Sequence, residues 1–179
     1  TQTACLISHL LTIHKALNET KSKYIFIVED DTRLFPDPLI TGLKNLFTKP
    51  VLSRWDVLQL EHHNRKAFWS HSKLRPMTLV QRWQREWYGC SAYILKRNYA
   101  EKFLSKFYKD KKLPLFDLTT AYTYGRHLVI DQLVYDMGDS LSFTFPLSTQ
   151  TNINDESSIG YSNSVILDKI QAEMLTLKE

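Results

Sequence analysis

The sequence predicts an α/β domain built on a mainly parallel, mixed sheet flanked by helices, and three observations predict it. Short apolar runs at 24–28, 55–60 and 88–95 alternate with segments whose apolar residues recur at helical spacing, the pattern of strands joined by crossover helices. The first run is apolar at every position, as a strand covered on both faces must be. At 179 residues, 43% hydrophobic and 23% charged, the chain is long enough for one core and too apolar to stay disordered.

Each element has its own reason. Leu6, Leu10, Ile13 and Leu17, with Ile7 and Leu11 beside them, make residues 4–17 an amphipathic helix. The polar stretch 18–23 breaks it, and the run 24–28 (YIFIV) reads as a buried strand. Asp37 as N-cap and Pro38 at the first helical position open a second helix carrying Leu39, Leu43, Leu46 and Phe47, which ends near Pro50. Residues 55–60 (WDVLQL) alternate as a strand. Residues 61–86 are irregular, basic and rich in His and Trp, longer than a plain connection in a compact domain. A third strand spans 88–95 with Gly89 near its start. Asn98 and Glu101 form a capping-box pattern ahead of a helix whose buried stripe is Tyr99, Phe103 and Phe107. Leu128-Val129-Ile130 runs into Asp131, and Leu133, Val134 and Met137 mark a short helix. A late strand covers 143–145, a polar segment covers 149–163, and Ile166, Ile170 and Met174 mark a last helix. No repeat divides the chain, so 1–179 reads as a single domain.

Composition excludes several classes. Two cysteines, Cys5 and Cys90, cannot build a disulfide framework or a four-cysteine zinc site; a reducing compartment is the default, with one Cys5–Cys90 bridge left open. No stretch reaches the about 18 uninterrupted apolar residues of a membrane helix, and the start shows no signal-like run. A cytoplasmic location, bacterial or host, is the expectation. The chain lacks an initiator Met, which points to processing or truncation. Lys and Arg total 23 against 19 Asp and Glu, a net charge of +4 that is too small to identify a nucleic-acid partner. Arg65, Lys66, Lys73, Arg75, Arg82 and Arg85 crowd one stretch, answered only by Glu86. This is either a surface for phosphate or an acidic acceptor, or a solvated loop face.

The chemistry concentrates at Glu29, Asp30 and Asp31, directly after the first strand. In open α/β sheets ligands bind beyond the carboxyl ends of strands. Three adjacent carboxylates repel one another, and a hard divalent cation such as Mn²⁺ or Mg²⁺ relieves that repulsion and bridges phosphate oxygens. The bland alternative is a solvated turn. Asp131 also ends an apolar run, and is either a base for an acceptor hydroxyl or a helix N-cap. Asp117 has a similar context behind a weaker strand. His62 and His63 are paired in a polar loop, where surface residues are the rule. Only five glycines occur, which argues against a P-loop or a dinucleotide-binding turn.

Taken together, the segments resemble glycosyltransferase family 25, the lipooligosaccharide and collagen sugar transferases. Residues 4–9 (ACLISH) resemble its early helix, where a small residue and Cys precede a Ser-His pair. The run 24–31 (YIFIVEDD) resembles its strand ending in Glu-Asp-Asp, and 55–60 the strand that follows. Residues 88–95 (YGCSAYIL) resemble its Gly-containing block, with Ala100-Glu101-Lys102 in the next helix. Ile130-Asp131-Gln132 resembles its late Asp block, and Pro146 to Gln150 with Ser157-Ser158-Ile159 its closing pattern. Order and spacing hold over about residues 4–160.

The resemblance implies a GT-A fold, a nucleotide-sugar donor (usually UDP-linked), transfer with inversion, and a glycan, lipooligosaccharide or glycoprotein acceptor. Nucleic acid is not an expected partner. Carried over, Asp31 is the metal ligand assisted by Asp30, and Asp131 is the base. Glu29, Asp30, Gly89, Ser8 and His9 attend the donor. Two departures stand out. The family begins with a strand and a basic Asn-Leu-Asp-Arg-like segment ahead of the Cys-x-x-Ser-His helix, which this sequence lacks, so a domain short of part of its base pocket is expected. No His follows His127 to supply a late metal ligand. Two other readings compete: a metal-dependent phosphoryl-transfer domain, without a phosphate-gripping loop, and a basic binding module using Trp69, Trp83 and Trp87 to hold nucleic acid or glycan.

Overall fold

Leu6, Leu10 and Ile13 have no exposed surface, and the helix they define, α1, runs over Gln2–Glu19. The computed structural model describes residues 2–48, 54–61, 79–87, 89–110, 114–123, 129–144 and 147–150. After α1 come β1 (Tyr24–Val28), β2 (Thr32–Leu34), α2 (Pro36–Phe47), β3 (Val57–Gln59), β4 (Val80–Arg82) and β5 (Ala92–Lys96). Then follow α3 (Arg97–Ser105), β6 (Tyr108–Asp110), β7 (Leu115–Phe116), α4 (Thr119–Thr123), α5 (Ile130–Asp136), β8 (Ser140–Phe143) and β9 (Ser148–Gln150). The expected C-terminal helix at 166–174 and most of the basic segment, including His62, His63 and Trp69, lie outside the described residues.

The fold is α/β with a mixed sheet flanked by helices. Five strands join in the order β1-β5-β3-β8-β4. Among the described residues only β3 and β8 pair in parallel; β5 runs antiparallel to both β1 and β3, and β4 antiparallel to β8. The expectation of a mainly parallel sheet is therefore corrected. Full burial of a strand reports its place inside a sheet covered on both faces, and says nothing about its direction. The strands with that burial are β3, buried at all of Val57–Gln59, and β5, buried from Ala92 through Leu95. By contrast β1 sits at the sheet edge with Phe26 42% and Val28 38% exposed, so its continuous apolar run is covered on one face only.

The central strands divide their side chains between two cores by the period-two rule. Val57, Tyr93 and Leu95 face α1, α3, α4 and α5 and pack with Leu10, Ile13, Phe103, Leu133 and Val134. Leu58, Ala92 and Ile94 face the other way and pack with Leu39 and Leu46 of α2, Trp55 and Phe143. Two ribbons complete the frame, β2 with β9 and β6 with β7. The predicted stripe Tyr99, Phe103 and Phe107 is buried as read.

Helix starts depart from the sequence reading. The N-cap of α2 is Phe35 with Pro36 in the first turn, so Asp37 is already inside the helix, where its charge complements the N-terminal dipole. α3 starts directly off β5 with Lys96 as N-cap. Asn98 therefore lies inside the helix, and Glu101 pairs with Arg97 at 3.2 Å instead of closing a capping box. The segment 61–86 is not wholly irregular, because β4 pairs with β8. The late strand is shifted to Ser140–Phe143. Among the described residues no helix is long and apolar enough to cross a membrane.

Gly138 follows α5 where the Tyr99 ring crosses it. A Cβ there would stand 2.6 Å from Tyr99 Cε2 and 2.9 Å from Cζ. The ring cannot retreat easily, since its hydroxyl donates to the Val134 carbonyl at 2.6 Å and its face stacks on Phe103. Gly138→Ala is therefore expected to lower the unfolding free energy by about 1–3 kcal/mol, the usual result of overpacking a core. Urea unfolding followed by tryptophan fluorescence measures it, and an unchanged midpoint would contradict this packing.

Candidate active site

The carboxyl end of β1 turns sharply. Thr32 N–H donates to the Glu29 carbonyl at 3.1 Å, which puts Asp30 and Asp31 at the two corners of a β-turn. The turn is held to the start of β5, because Glu29 N–H donates to the Ser91 carbonyl at 2.7 Å and the Thr32 hydroxyl donates to the same carbonyl at 3.2 Å. Asp30 is exposed and Asp31 half-buried. Glu29 points elsewhere: its Oε1 lies 3.1 Å from His9 Nε2.

A second group meets at Gly89, whose φ of 120° is open to glycine and strained for other residues. Its carbonyl accepts from the Tyr135 hydroxyl at 2.8 Å and from Gln59 Nε2 at 3.1 Å. Its N–H donates to Asp131 Oδ2 at 3.3 Å, while Asp131 Oδ1 accepts from the Gln132 N–H at 2.9 Å. Asp131 lies in the first turn of α5, whose N-cap is Val129. The N-cap alternative for Asp131 is thus excluded; its carboxylate reaches instead across 42 positions of sequence. Burial pushes its pKa above the usual carboxylate range, against the lowering effect of the Gly89 and Gln132 N–H groups.

The third group is one that sequence reasoning did not assemble. Cys5 and His9 stand one helical turn apart on α1, and their ligand atoms lie within 4.8 Å of those of Glu29 and Cys90. Both thiols are free. His9 Nδ1 is hydrogen-bonded to the Tyr93 hydroxyl at 2.8 Å. A hydrogen bond from the Cys90 thiol, and a second with His9, lower the Cys5 pKa to about 5. Burial opposes charge on His9, but its hydrogen bonds with Cys5 and Glu29 outweigh that and raise it to about 9. Cys90, donor to Cys5 and itself half-buried, is held well above the usual thiol range. The i, i+4 spacing of Cys5 and His9 was a readable signal; that Cys90 would join them was not.

Other sequence candidates fall outside this cluster. Ser8 is exposed on α1, and its carbonyl accepts from the Thr12 hydroxyl. Asp117 is half-buried and accepts from both the N–H and the hydroxyl of Thr119 as it opens α4, so it does the capping work. Arg85 pairs with Asp136 at 3.2 Å and Arg82 with Asp139 at 3.4 Å; acids distant in sequence answer them, beyond Glu86. They border an open cleft of about 340 Å³, shared with Trp83, Tyr135 and Ser140. Trp87 is 2% exposed, and its carbonyl accepts from the Trp83 indole at 2.9 Å. Trp87 is therefore core rather than a stacking platform, which removes part of the basis for a nucleic-acid-binding module.

The family model described as glycosyltransferase family 25 (LPS biosynthesis protein) matches residues 1–119, a stretch that holds α1, the Glu29–Thr32 turn and Gly89 and ends before Asp131. The chain belongs to glycosyltransferase family 25, and its activity class is sugar transfer. No curated protein matches it.

Gly89→Ala places a Cβ on a backbone that L-residues rarely adopt. We expect a loss of about 1–2 kcal/mol of stability, read by urea unfolding. An Ala variant as stable as the parent would show that the Gly89 conformation carries no such strain.

Proposed function

We propose that the chain moves a sugar from a nucleotide-sugar donor, a UDP-sugar, to a hydroxyl of a glycan or glycoconjugate, with inversion and with a divalent cation at Asp31 and Asp30. The observation that carries this reading is the hydrogen bond between the buried Asp131 carboxylate and the Gly89 N–H. Gly89 leads through Cys90 into Ser91, whose carbonyl holds the acidic turn at both Glu29 and Thr32. Acids from opposite ends of the chain are thereby tied to one short segment ahead of β5.

In this reading each group has one task. Asp131, buried and with a raised pKa, takes the proton of the acceptor hydroxyl as that oxygen attacks the anomeric carbon; raising a carboxylate's pKa makes it the stronger proton acceptor. Asp30 and Asp31 offer hard oxygen ligands, which suit Mn²⁺ or Mg²⁺. Bound there, such an ion would neutralise charge on the departing diphosphate. Gly89, with no side chain, lets the backbone approach the donor. A GT-A-like arrangement is the architecture this chemistry would use.

The direct test is donor hydrolysis and transfer across a panel of UDP-sugars with and without Mn²⁺. Manganese-dependent turnover of one donor is expected, and no turnover of any UDP-sugar would reject the donor assignment. Asp31→Asn is expected to abolish Mn²⁺-dependent UDP binding by calorimetry while leaving the fold intact, since it removes a charged ligand and relieves repulsion in the metal-free turn. Unchanged UDP affinity would remove Asp31 from the metal site. Asp131→Asn keeps a hydrogen-bond acceptor for Gly89 but cannot take a proton. It is expected to lower kcat by about 10²–10⁴-fold with donor affinity nearly unchanged; a wild-type rate would exclude Asp131 as the base.

A further inference from the structure

We propose that Cys5, His9, Glu29 and Cys90 form a closed, four-ligand zinc site that fastens α1 to the end of β1 and the segment leading into β5. The four ligand atoms all lie within 4.8 Å of one another. His9 Nε2 is 3.1 Å from Glu29 Oε1, and Cys90 Sγ is 3.9 Å from His9 Nε2 and 3.8 Å from Glu29 Oε1. Tetrahedral zinc, at about 2.3 Å from sulfur and about 2.0–2.1 Å from nitrogen and oxygen, sets ligand–ligand separations of about 3.3–3.8 Å. The three edges among His9, Glu29 and Cys90 therefore need to move by only a few tenths of an ångström, and those to Cys5, within 4.8 Å, by no more than about 1–1.5 Å.

The donor set identifies the metal. Two sulfurs, an imidazole and a carboxylate suit Zn²⁺, whereas Mn²⁺ and Mg²⁺ prefer oxygen alone. Four protein ligands leave no position for a substrate, so the site is structural, and it is separate in chemistry from the hard-metal site proposed at Asp30 and Asp31. The surroundings are those of a built site. His9 is 5% exposed, and its Nδ1 is hydrogen-bonded to the Tyr93 hydroxyl at 2.8 Å. With Nδ1–H donating to that oxygen, Nε2 presents its lone pair toward Glu29 and the sulfurs, the partner arrangement that orients metal-binding histidines. A simple His9–Glu29 ion pair would not require two thiols at its edge, and a Cys5–Cys90 disulfide would not require the imidazole and the carboxylate.

On loading, Zn²⁺ replaces the protons on the His9 ring and the Cys90 thiol. Two thiolates and one carboxylate against the dication leave a net charge of −1, far less costly than the bare acids would be in a half-buried site. The site also assigns Glu29 and His9 a structural task in place of the donor contact implied by the family resemblance. Because Glu29 begins the turn that carries Asp30 and Asp31, zinc would hold that turn in place. The assignment does not rest on the donor reading.

The test uses the whole chain, reduced and stripped with EDTA, then titrated with Co²⁺ as a spectroscopic substitute for zinc. We expect a thiolate-to-cobalt charge-transfer band saturating at one equivalent, bleached by one equivalent of Zn²⁺, and a higher melting temperature with zinc than without. Cys90→Ser should weaken zinc binding by at least about 10–100-fold, more than the loss of a supporting partner alone, and shift the band. Asp31→Asn should leave the band unchanged, so failure of the donor site and failure of this site are read separately. Absence of the band in the reduced parent chain would overturn the proposal, as would a band that Cys90→Ser leaves untouched. The first readout needs no variant to fold.

Discussion

The peptide of Gly89 is the junction on which the structure depends. Its carbonyl accepts from Tyr135 of α5 and from Gln59 of β3, and its N–H donates to Asp131 of α5. One residue thus joins the helical layer to the middle of the sheet. Gln59 is in turn fixed by the Ser142 hydroxyl, which donates to its Oε1 at 2.7 Å. Sheet strands β3 and β8, helix α5 and the lead-in to β5 therefore share one fully buried polar network. Such a network is favourable only when every member is satisfied, and satisfying it requires a backbone at φ 120° that glycine alone adopts without strain.

From that junction the chain supplies two chemically different neighbourhoods a few residues apart. On one side Asp131 is buried against N–H groups, which leaves it less acidic than an exposed carboxyl. On the other, Cys5, His9, Glu29 and Cys90 share charge over sulfur, nitrogen and oxygen. Burial acts on both sets, but with different results. Asp131 has only neutral donors, so desolvation dominates. His9 is hydrogen-bonded to Cys5 and Glu29, so the ring stays charged to higher pH in spite of desolvation. The corner acids, exposed Asp30 and half-buried Asp31, belong to neither set, although Glu29 precedes them directly.

Several local rules in this chain give way to tertiary demands. α3 begins with no intervening turn after β5, and the chain keeps Arg97 as its first residue because the guanidinium donates to the carbonyls of Leu17 and Thr20 at the end of α1. Those carbonyls have no partner inside their own helix, and Arg97 satisfies them from another element. Asn98 and Glu101 had the spacing of a capping box, yet the start of the helix was set by that cross-chain contact. In α5, Ile130 of the apolar run ahead of Asp131 is already helical.

Residue pattern by itself determined the amphipathic faces of α1 and α3, the strand cores at 24–28, 57–59 and 92–95, and the placement of an acidic triplet at a strand's carboxyl end, because these follow from local periodicity and turn chemistry. The family, too, was legible in ordered short blocks. Strand direction, the edge position of β1 and the start of each helix were decided by the tertiary structure, since a five-residue apolar run carries no record of its neighbours. So was the meeting of Cys5 with Cys90, and of Gly89 with Asp131. Contacts spanning 81 positions from His9 to Cys90 and 42 from Gly89 to Asp131 depend on how β5 slots between β1 and β3, a choice made by packing two cores at once that no local stretch of residues encodes.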